Sequence, residues 1–361
     1  MTAPGDGRHQ RRRDRLRQLL DASAPGRRLI VSDLANVRYL TGFSGSNAVL
    51  VVAPQPEHDL LGTDGRYRDQ VVAQSPDLPV VLDRDTLHAT ITRSGAAAYS
   101  VETTMSVGDV EHLRDEHGLV EVCAGLVEQL RRIKEPDELE ALERACTVTA
   151  QAFAALAEEI RVGDTELALA RRLEQLFGEL GAEDRAFDSI VGSGPNSAIP
   201  HHEPGSRRLQ PGDLLVIDAG ARVDGYHADM TRTFVVGAAP TEWQAEIHAA
   251  VARAQREAGL AYLPGAQARD IDAVARGIVE AAGFADEFTH GLGHGVGLEI
   301  HEAPIIGTRS TGTLEPDMAI TVEPGVYLTG RGGVRIEDTL VVADAGPRIL
   351  TEASRDLVVV G

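Results

Sequence analysis

The chain has 361 residues, enough for two domains, and its 43% hydrophobic and 25% charged content is that of an ordinary soluble globular protein. Acidic residues outnumber basic ones by 55 to 35, for a formal charge of -20. The first thirty residues hold eight Arg against three Asp, so the remainder carries about -25. Such a surface repels phosphate backbones and argues against a nucleic-acid partner.

Lys134 is the sole lysine, and no Gly-rich loop precedes it, which excludes a P-loop. Within the run Arg131-Arg132-Ile133-Lys134-Glu135 it reads as part of a solvated helix end. Cys123 and Cys146 are too few for a thiolate metal site or a disulfide framework. The Arg-rich start has no apolar signal core after it, and no run reaches the roughly 18 apolar residues of a membrane span. A cytoplasmic setting without a membrane partner is the expectation.

In chain order, residues 1–10 read as a disordered tail, and 11–130 as a mixed α/β domain. Its buried strands fall at 29–31, 48–52 and 80–82, each bounded by turn residues. The charged segment 129–144 opens a long amphipathic helix through about residue 159, and the domain boundary is placed so that the second domain spans 131–361. Another helix is expected over 166–180, stopped by Gly181. Thr241 and Gln244 have capping-box spacing ahead of a helix to about 257. A helix over 267–282 ends at Gly283. Gly-rich strand segments at 213–236, 291–301 and 317–342 lie between these helices, so the second domain is α+β.

Seven of the twelve histidines fall between His201 and His301, and titratable residues interrupt otherwise apolar strands there. In Leu214-Leu215-Val216-Ile217-Asp218-Ala219-Gly220 a carboxylate ends a buried strand. Asp224-Gly225 then signals a type I′ hairpin. That turn pairs Val223 with Tyr226 and Gly220 with Asp229, which sets Asp218 and Asp229 on one face as diagonal neighbours about 7–8 Å apart at the backbone. An Asp–turn–Asp hairpin can equally be a pair of exposed loop aspartates, but the apolar flanks argue for burial. Like charges buried on one face require a cation between them.

The segment from His290 to Glu302 has glycine at 291, 293, 295 and 297, so His290 and His294 are not a helical zincin pair. Those glycines allow close backbone approach. Glu323 ends an apolar strand before Pro324-Gly325, and Arg335 and Glu337 share a strand face by alternation. Taken singly, Glu323 reads as a rim residue and Arg335–Glu337 as a surface pair. Taken together, Asp218, Asp229, His294, Glu323 and Glu337 carry about -4, which two divalent cations balance. Oxygen-rich donors with one imidazole suit Mn2+, Co2+ or Fe2+ better than a Cys-rich zinc site. Two such ions about 3.5–4 Å apart activate water and polarise a carbonyl, which is hydrolytic chemistry.

The strings VIDAGARVDGYHADMTRTFVVG, HGLGHGVGLEIHE, VEPGVY and GVRIEDTLVV resemble those of the pita-bread metallopeptidases, nearest the Xaa-Pro peptidases, aminopeptidase P and prolidase. NVRYLTGFSGSNAVLVV and TDGRYRDQ are similar to the creatinase-type N-terminal domain of those enzymes, and LRRIKEPDELEAL to their entry into the catalytic domain. The resemblance implies a ribonuclease H-like α/β domain followed by an α+β pita-bread catalytic domain. It implies two divalent ions, Mn2+ first, with Co2+, Fe2+ or Zn2+ as alternatives.

The family's ligands fall on Asp218, Asp229, His294, Glu323 and Glu337, with Asp229 and Glu337 bridging. In SGPNSAIPHHEP, His201 matches a histidine near the scissile peptide. His301 matches one that stabilises the tetrahedral intermediate, His290 a substrate-side histidine, and Arg335 a residue that fixes the site. Glu323 also matches the proton shuttle. His202 is read as bland, and His227 as packing behind the ligands.

The implied activity is Xaa-Pro aminopeptidase, with proline-containing di- or oligopeptides as substrates and a homodimer as the assembly. Xaa-Pro dipeptidase is the alternative. A metal-free creatinase-like hydrolase or a peptide-binding module is disfavoured because all five ligands are present. A methionine aminopeptidase is disfavoured because it normally lacks the extra N-terminal domain.

Overall fold

The structure, a computed structural model, describes residues 7–361. It divides into two compact units, with the division between Arg131 and Arg132. Residues 1–6 of the expected tail lie outside the described residues. Arg8, His9 and Gln10, expected in that tail, instead form the first turn of helix α1 (Arg8–Ser23). They are anchored because His9 Nδ1 and Arg12 Nη1 each reach the Tyr39 carbonyl at 3.0 Å.

After α1 the first unit runs β1 (Arg28–Val31), α2 (Leu34–Thr41), β2 (Ala48–Val52), β3 (Leu60–Thr63), α3 (Arg68–Gln74), β4 (Val80–Leu82), α4 (Thr86–Ser94), β5 (Ala98–Glu102), α5 (Val107–His117), β6 (Leu119–Cys123) and α6 (Leu126–Arg131). The strands form one mixed sheet in the order β4–β3–β2–β1–β5–β6. Strand β2 is apolar throughout and buried along its length, as a central strand covered on both faces must be. Ile91 of α4 and Val110 and Leu113 of α5 pack into one cluster with Ile30, Val49, Val51 and Val101. Each such aliphatic burial contributes roughly 1.5–3 kcal/mol. Strand β4, expected to be buried, is only half-buried because it is an edge strand.

The helix expected to run on from residue 129 is broken. It is replaced by α6, the last helix of the first unit, and by α7 (Pro136–Glu159), the first of the second, because Pro136 can only start a helix. Glu135 caps α7, its backbone N–H donating to Glu138 at 3.0 Å. Lys134, expected in solvent, is buried in this break and pairs with Glu302 at 3.0 Å. Lys134 turns its ammonium inward because the buried Glu302 carboxylate supplies its counter-charge.

The order continues α8 (Glu166–Glu179), β7 (Asp184–Arg185), β8 (Ile190–Ser193), β9 (Leu214–Ala219), β10 (Ala221–Val223), β11 (Tyr226–His227), β12 (Met230–Val236), α9 (Glu242–Gly259), α10 (Ala268–Ala281), β13 (Gly293–Gly295), β14 (Glu302–Ile306), β15 (Ala319–Val322), β16 (Gly325–Leu328), β17 (Gly332–Arg335), β18 (Asp338–Val341), β19 (Arg348–Ile349) and β20 (Val358–Val360). Thr241 and Gln244 form the expected capping box at the start of α9. The main sheets are β20–β12–β9–β8 and β14–β13–β15–β18–β19, beside a β16–β17 hairpin and a small β11–β10–β7 sheet.

Alternation along the strands sorts the side chains into two cores. Leu215, Ile217, Phe234 and Val236 pack with Phe153 and Leu156 of α7 and Leu173 and Phe177 of α8. Ile320, Val322 and Leu340 pack with Ile247 and Val251 of α9 and Ile271, Ala275 and Val279 of α10. The residues one step out of phase on β9, β12, β15 and β18 point to the opposite face, where Leu214 and Val235 at one end of the β9–β12 pair join the α9–α10 core and the polar residues at the other end do not. This places Asp218, Thr231, Thr321 and Thr339 between the sheets, and the functional cluster gathers there.

Candidate metal centre

The hairpin register is the expected one. Val223 pairs with Tyr226, and Ala219 pairs with Met230. Asp218 lies directly across from Thr231, with Asp229 on the diagonal. Gly220 is required at its position, since a Cβ there would lie 1.7 Å from the Ala228 carbonyl oxygen. Gly293 is equally constrained: its Cβ would lie 2.0 Å from the Thr321 carbonyl oxygen, so glycine lets the His294 strand press against β15.

Donor atoms of Asp229, His294 and Glu337, all buried, lie within 4.8 Å of one another. His294 Nε2 is 3.5 Å from Asp229 and 3.6 Å from Glu323. His294 Nδ1 sits 3.0 Å from the Gly295 carbonyl, which can only accept. Nδ1 therefore carries the proton, and Nε2 points a lone pair at carboxylate oxygens. Burial pushes the His294 pKa down to about 4, which keeps the ring neutral.

Asp218 accepts from Arg335 at 2.6 Å through one oxygen, while its other oxygen is buried with no hydrogen-bond partner. Burial, followed by the charge of Asp218, pushes Glu337 up to about 8. Burial, then Glu337, raises both Asp229 and Glu323 well above the usual carboxylate range. Acceptors facing acceptors in a low-dielectric interior are unfavourable until a cation lies between them. The orphaned Asp218 oxygen and the His294 lone pair fit a site for divalent metal ions.

The remaining candidates surround this cluster. Arg335 and Glu337, expected as a surface pair on one strand, are both buried and do not pair with each other. The strand breaks between β17 and β18, so Arg335 turns to Asp218, and the Glu337 backbone N–H donates to the Thr231 carbonyl at 3.1 Å. Glu323 is at the margin, its side chain 19% exposed. His290 is half-buried, with Nδ1 2.8 Å from the Gly291 carbonyl and 3.9 Å from Glu323. Burial, aided by the charge of Arg335, lowers its pKa to about 4. His301 is exposed and packs edge-on against the His294 ring, with centroids 4.4 Å apart. His201 is exposed too, near enough that its charge opposes protonation of His290. His202 stands apart from the cluster and binds Glu166 at 2.9 Å. His227 reaches the Gly297 carbonyl at 3.1 Å.

Two participants escaped sequence reasoning. Thr231 Oγ1 receives Arg335 Nε at 3.1 Å and donates to Glu337 at 2.7 Å, which links the two sheets. The Tyr327 hydroxyl accepts from Arg335 at 2.7 Å and lies 2.9 Å from His290 Nε2, so it donates to that nitrogen. Thr231 could have been found, because alternation from Asp229 puts it on the same face. Tyr327 had no local signal apart from its place in the VEPGVY string.

Comparison with known proteins agrees with this geometry. Residues 140–344 match metallopeptidase family M24, and residues 12–133 match the creatinase/prolidase N-terminal domain. An Xaa-Pro dipeptidase of Pyrococcus furiosus is 37% identical over 334 residues, covering 91% of this chain and 94% of that protein. The structure of an Xaa-Pro dipeptidase from Bacillus anthracis superposes with a TM-score of 0.92 at 32% identity, covering 98% of this chain and 100% of that one. An X-Pro aminopeptidase structure from Thermotoga maritima gives a TM-score of 0.84 at 32% identity, covering 92% and 97%.

The chain belongs to the M24, or pita-bread, metallopeptidase family and carries the creatinase/prolidase type of N-terminal domain. It is a metal-dependent exopeptidase of that type. Among the described residues no helix is long and apolar enough to cross a membrane.

Proposed function

We propose that the chain is an Xaa-Pro dipeptidase, hydrolysing the bond between an N-terminal residue and a C-terminal proline. The hydrolase reading is carried by one observation: four carboxylates and a neutral imidazole converge in a buried site whose facing atoms are all acceptors. The dipeptidase reading draws support from the names of the Pyrococcus furiosus and Bacillus anthracis relatives. Where the resemblance places aminopeptidase first, those names favour the alternative. Aminopeptidase remains a second reading because the Thermotoga maritima enzyme shares nearly the whole fold.

Asp218, Asp229, His294, Glu323 and Glu337 would hold two divalent cations, with Mn2+ as our choice from the oxygen-rich donor set. When bound, such ions supply an activated water and polarise the scissile carbonyl. Thr231 and Arg335 hold Glu337 and Asp218 in place. Glu323, at the margin, moves the proton to the leaving imino nitrogen of proline. His301 and His201, both exposed, donate to the substrate carbonyl as negative charge develops on it. His290, with both nitrogens occupied, flanks Glu323 on the substrate side. A dedicated enzyme for this bond is reasonable because the prolyl amide lacks an N–H and has a fixed ring.

The test compares Ala-Pro with Ala-Pro-Ala after chelation and again with Mn2+ restored. Metal-restored turnover favouring the dipeptide by at least about tenfold is expected, a difference of 1.4 kcal/mol in transition-state binding. The reverse preference selects the aminopeptidase reading, and cleavage of neither peptide overturns both.

A further inference from the structure

We propose that the N-terminal unit carries a separate site for a divalent transition metal, zinc by its donor chemistry, formed by His88, His112 and Glu116. These side chains offer donor atoms that all lie within 4.8 Å of one another. His88 stands on α4, and His112 and Glu116 on α5, two helices whose apolar residues share one cluster against the sheet. The i,i+4 spacing sets His112 and Glu116 on one helix face, with His112 Nε2 3.2 Å from Glu116. The His88 and His112 rings meet edge to face, with centroids 4.6 Å apart.

Two further observations set this group apart from chance proximity on a polar surface. His88 Nδ1 lies 2.8 Å from the Asp85 carboxylate, which can only accept, so in the neutral ring Nδ1 holds the proton and Nε2 the lone pair. A carboxylate behind an imidazole is the usual way of orienting a metal-bound histidine. That Nε2 is also shielded from solvent and has no hydrogen-bond partner. A shielded lone pair without a donor calls for an explanation, and a cation supplies one.

The dimensions suit zinc. Ligands about 2.0–2.1 Å from a tetrahedral ion stand roughly 3.3 Å apart. The His112–Glu116 pair is already at that spacing. The widest separation the group allows, 4.8 Å, closes by rotation of the exposed side chains. His88, His112 and Glu116 have side chains 28%, 51% and 45% exposed, so water can complete the fourth position. None of the three lies in the segment that matches the metallopeptidase family. An ion here would tie α4 to α5 and stabilise the unit through binding linkage.

The experiment is equilibrium dialysis of the full-length chain against Zn2+, with bound metal counted per chain. His112→Ala should hold one zinc fewer than the wild type. Glu116→Gln, which keeps the side-chain shape, should bind that zinc at least tenfold more weakly. The same one-ion difference should appear in a Glu337→Ala background, which separates this site from the carboxylate cluster. His112→Ala should leave the metal-restored peptidase rate unchanged. Equal zinc stoichiometry and affinity in the wild type and both variants would overturn the proposal.

Discussion

Asp338 and Glu337 are neighbours in sequence, both buried, and opposite in electrostatic character. Asp338 is surrounded by donors: Arg232 at 2.7 Å, Thr351 at 2.9 Å, Gln255 at 2.6 Å and Arg355. Glu337 receives one hydroxyl from Thr231 and otherwise faces Asp218, Asp229 and His294. Glu337 sits in the break before β18 and turns toward Thr231 and the site, whereas Asp338, the first residue of β18, turns toward Gln255 of α9 and Arg232. The two residues show two uses of a buried charge. Asp338 is matched by the protein's own cations, which makes it structural. Glu337 belongs to a cluster of carboxylates and a neutral imidazole short of positive charge, a donor set suited to divalent cations.

The strongest way to break this contrast is to remove a ligand. Asp229→Ala or Glu337→Ala should abolish metal binding at the carboxylate cluster and lower peptidase activity by at least about 10³-fold. Metal analysis alongside kinetics decides it, because retained turnover without bound metal contradicts the dinuclear site. Asp338→Asn should act on stability instead. It leaves Arg232 without its full counter-charge in the interior, with an expected loss of about 3–5 kcal/mol in chemical denaturation.

The pH dependence sharpens the same contrast. The Glu337 pKa is raised in the folded chain, so the metal-free protein holds that proton more tightly than the unfolded chain does. Its contribution is favourable below about pH 4.5 and is lost as pH rises through about 8. Metal-free Glu337→Gln should therefore gain on the wild type by on the order of a few kcal/mol between pH 5 and pH 8. Adding Mn2+ should reverse the order, and thermal denaturation across that range measures both. Thr231→Val is the mildest change: it removes the donor to Glu337 and should weaken metal affinity about 10–100-fold without loss of fold.

The hairpin register was legible because it depends on a two-residue turn and on alternation, both local. From it followed the shared face of Asp218 and Asp229. The capping box at Thr241 and Gln244 was legible for the same reason. The break at Pro136 had a local signal, the proline itself, which the charged run around it obscured. The burial of Lys134 had none, since its partner Glu302 lies 168 residues along the chain.

By itself, then, the sequence determined which residues could take part in chemistry, the main helices of the second unit, and the shared face of Asp218 and Asp229 in their hairpin. These follow from backbone geometry over a few residues. Only the tertiary structure decided that Arg335 serves Asp218 rather than Glu337, that Thr231 joins them, and that the Tyr327 hydroxyl connects Arg335 to His290. The two sheets that bring these groups together are held by separate helix-covered cores. Contacts such as Asp218–Arg335, 117 residues apart, arise when both apolar faces are buried at once, a condition no local pattern encodes.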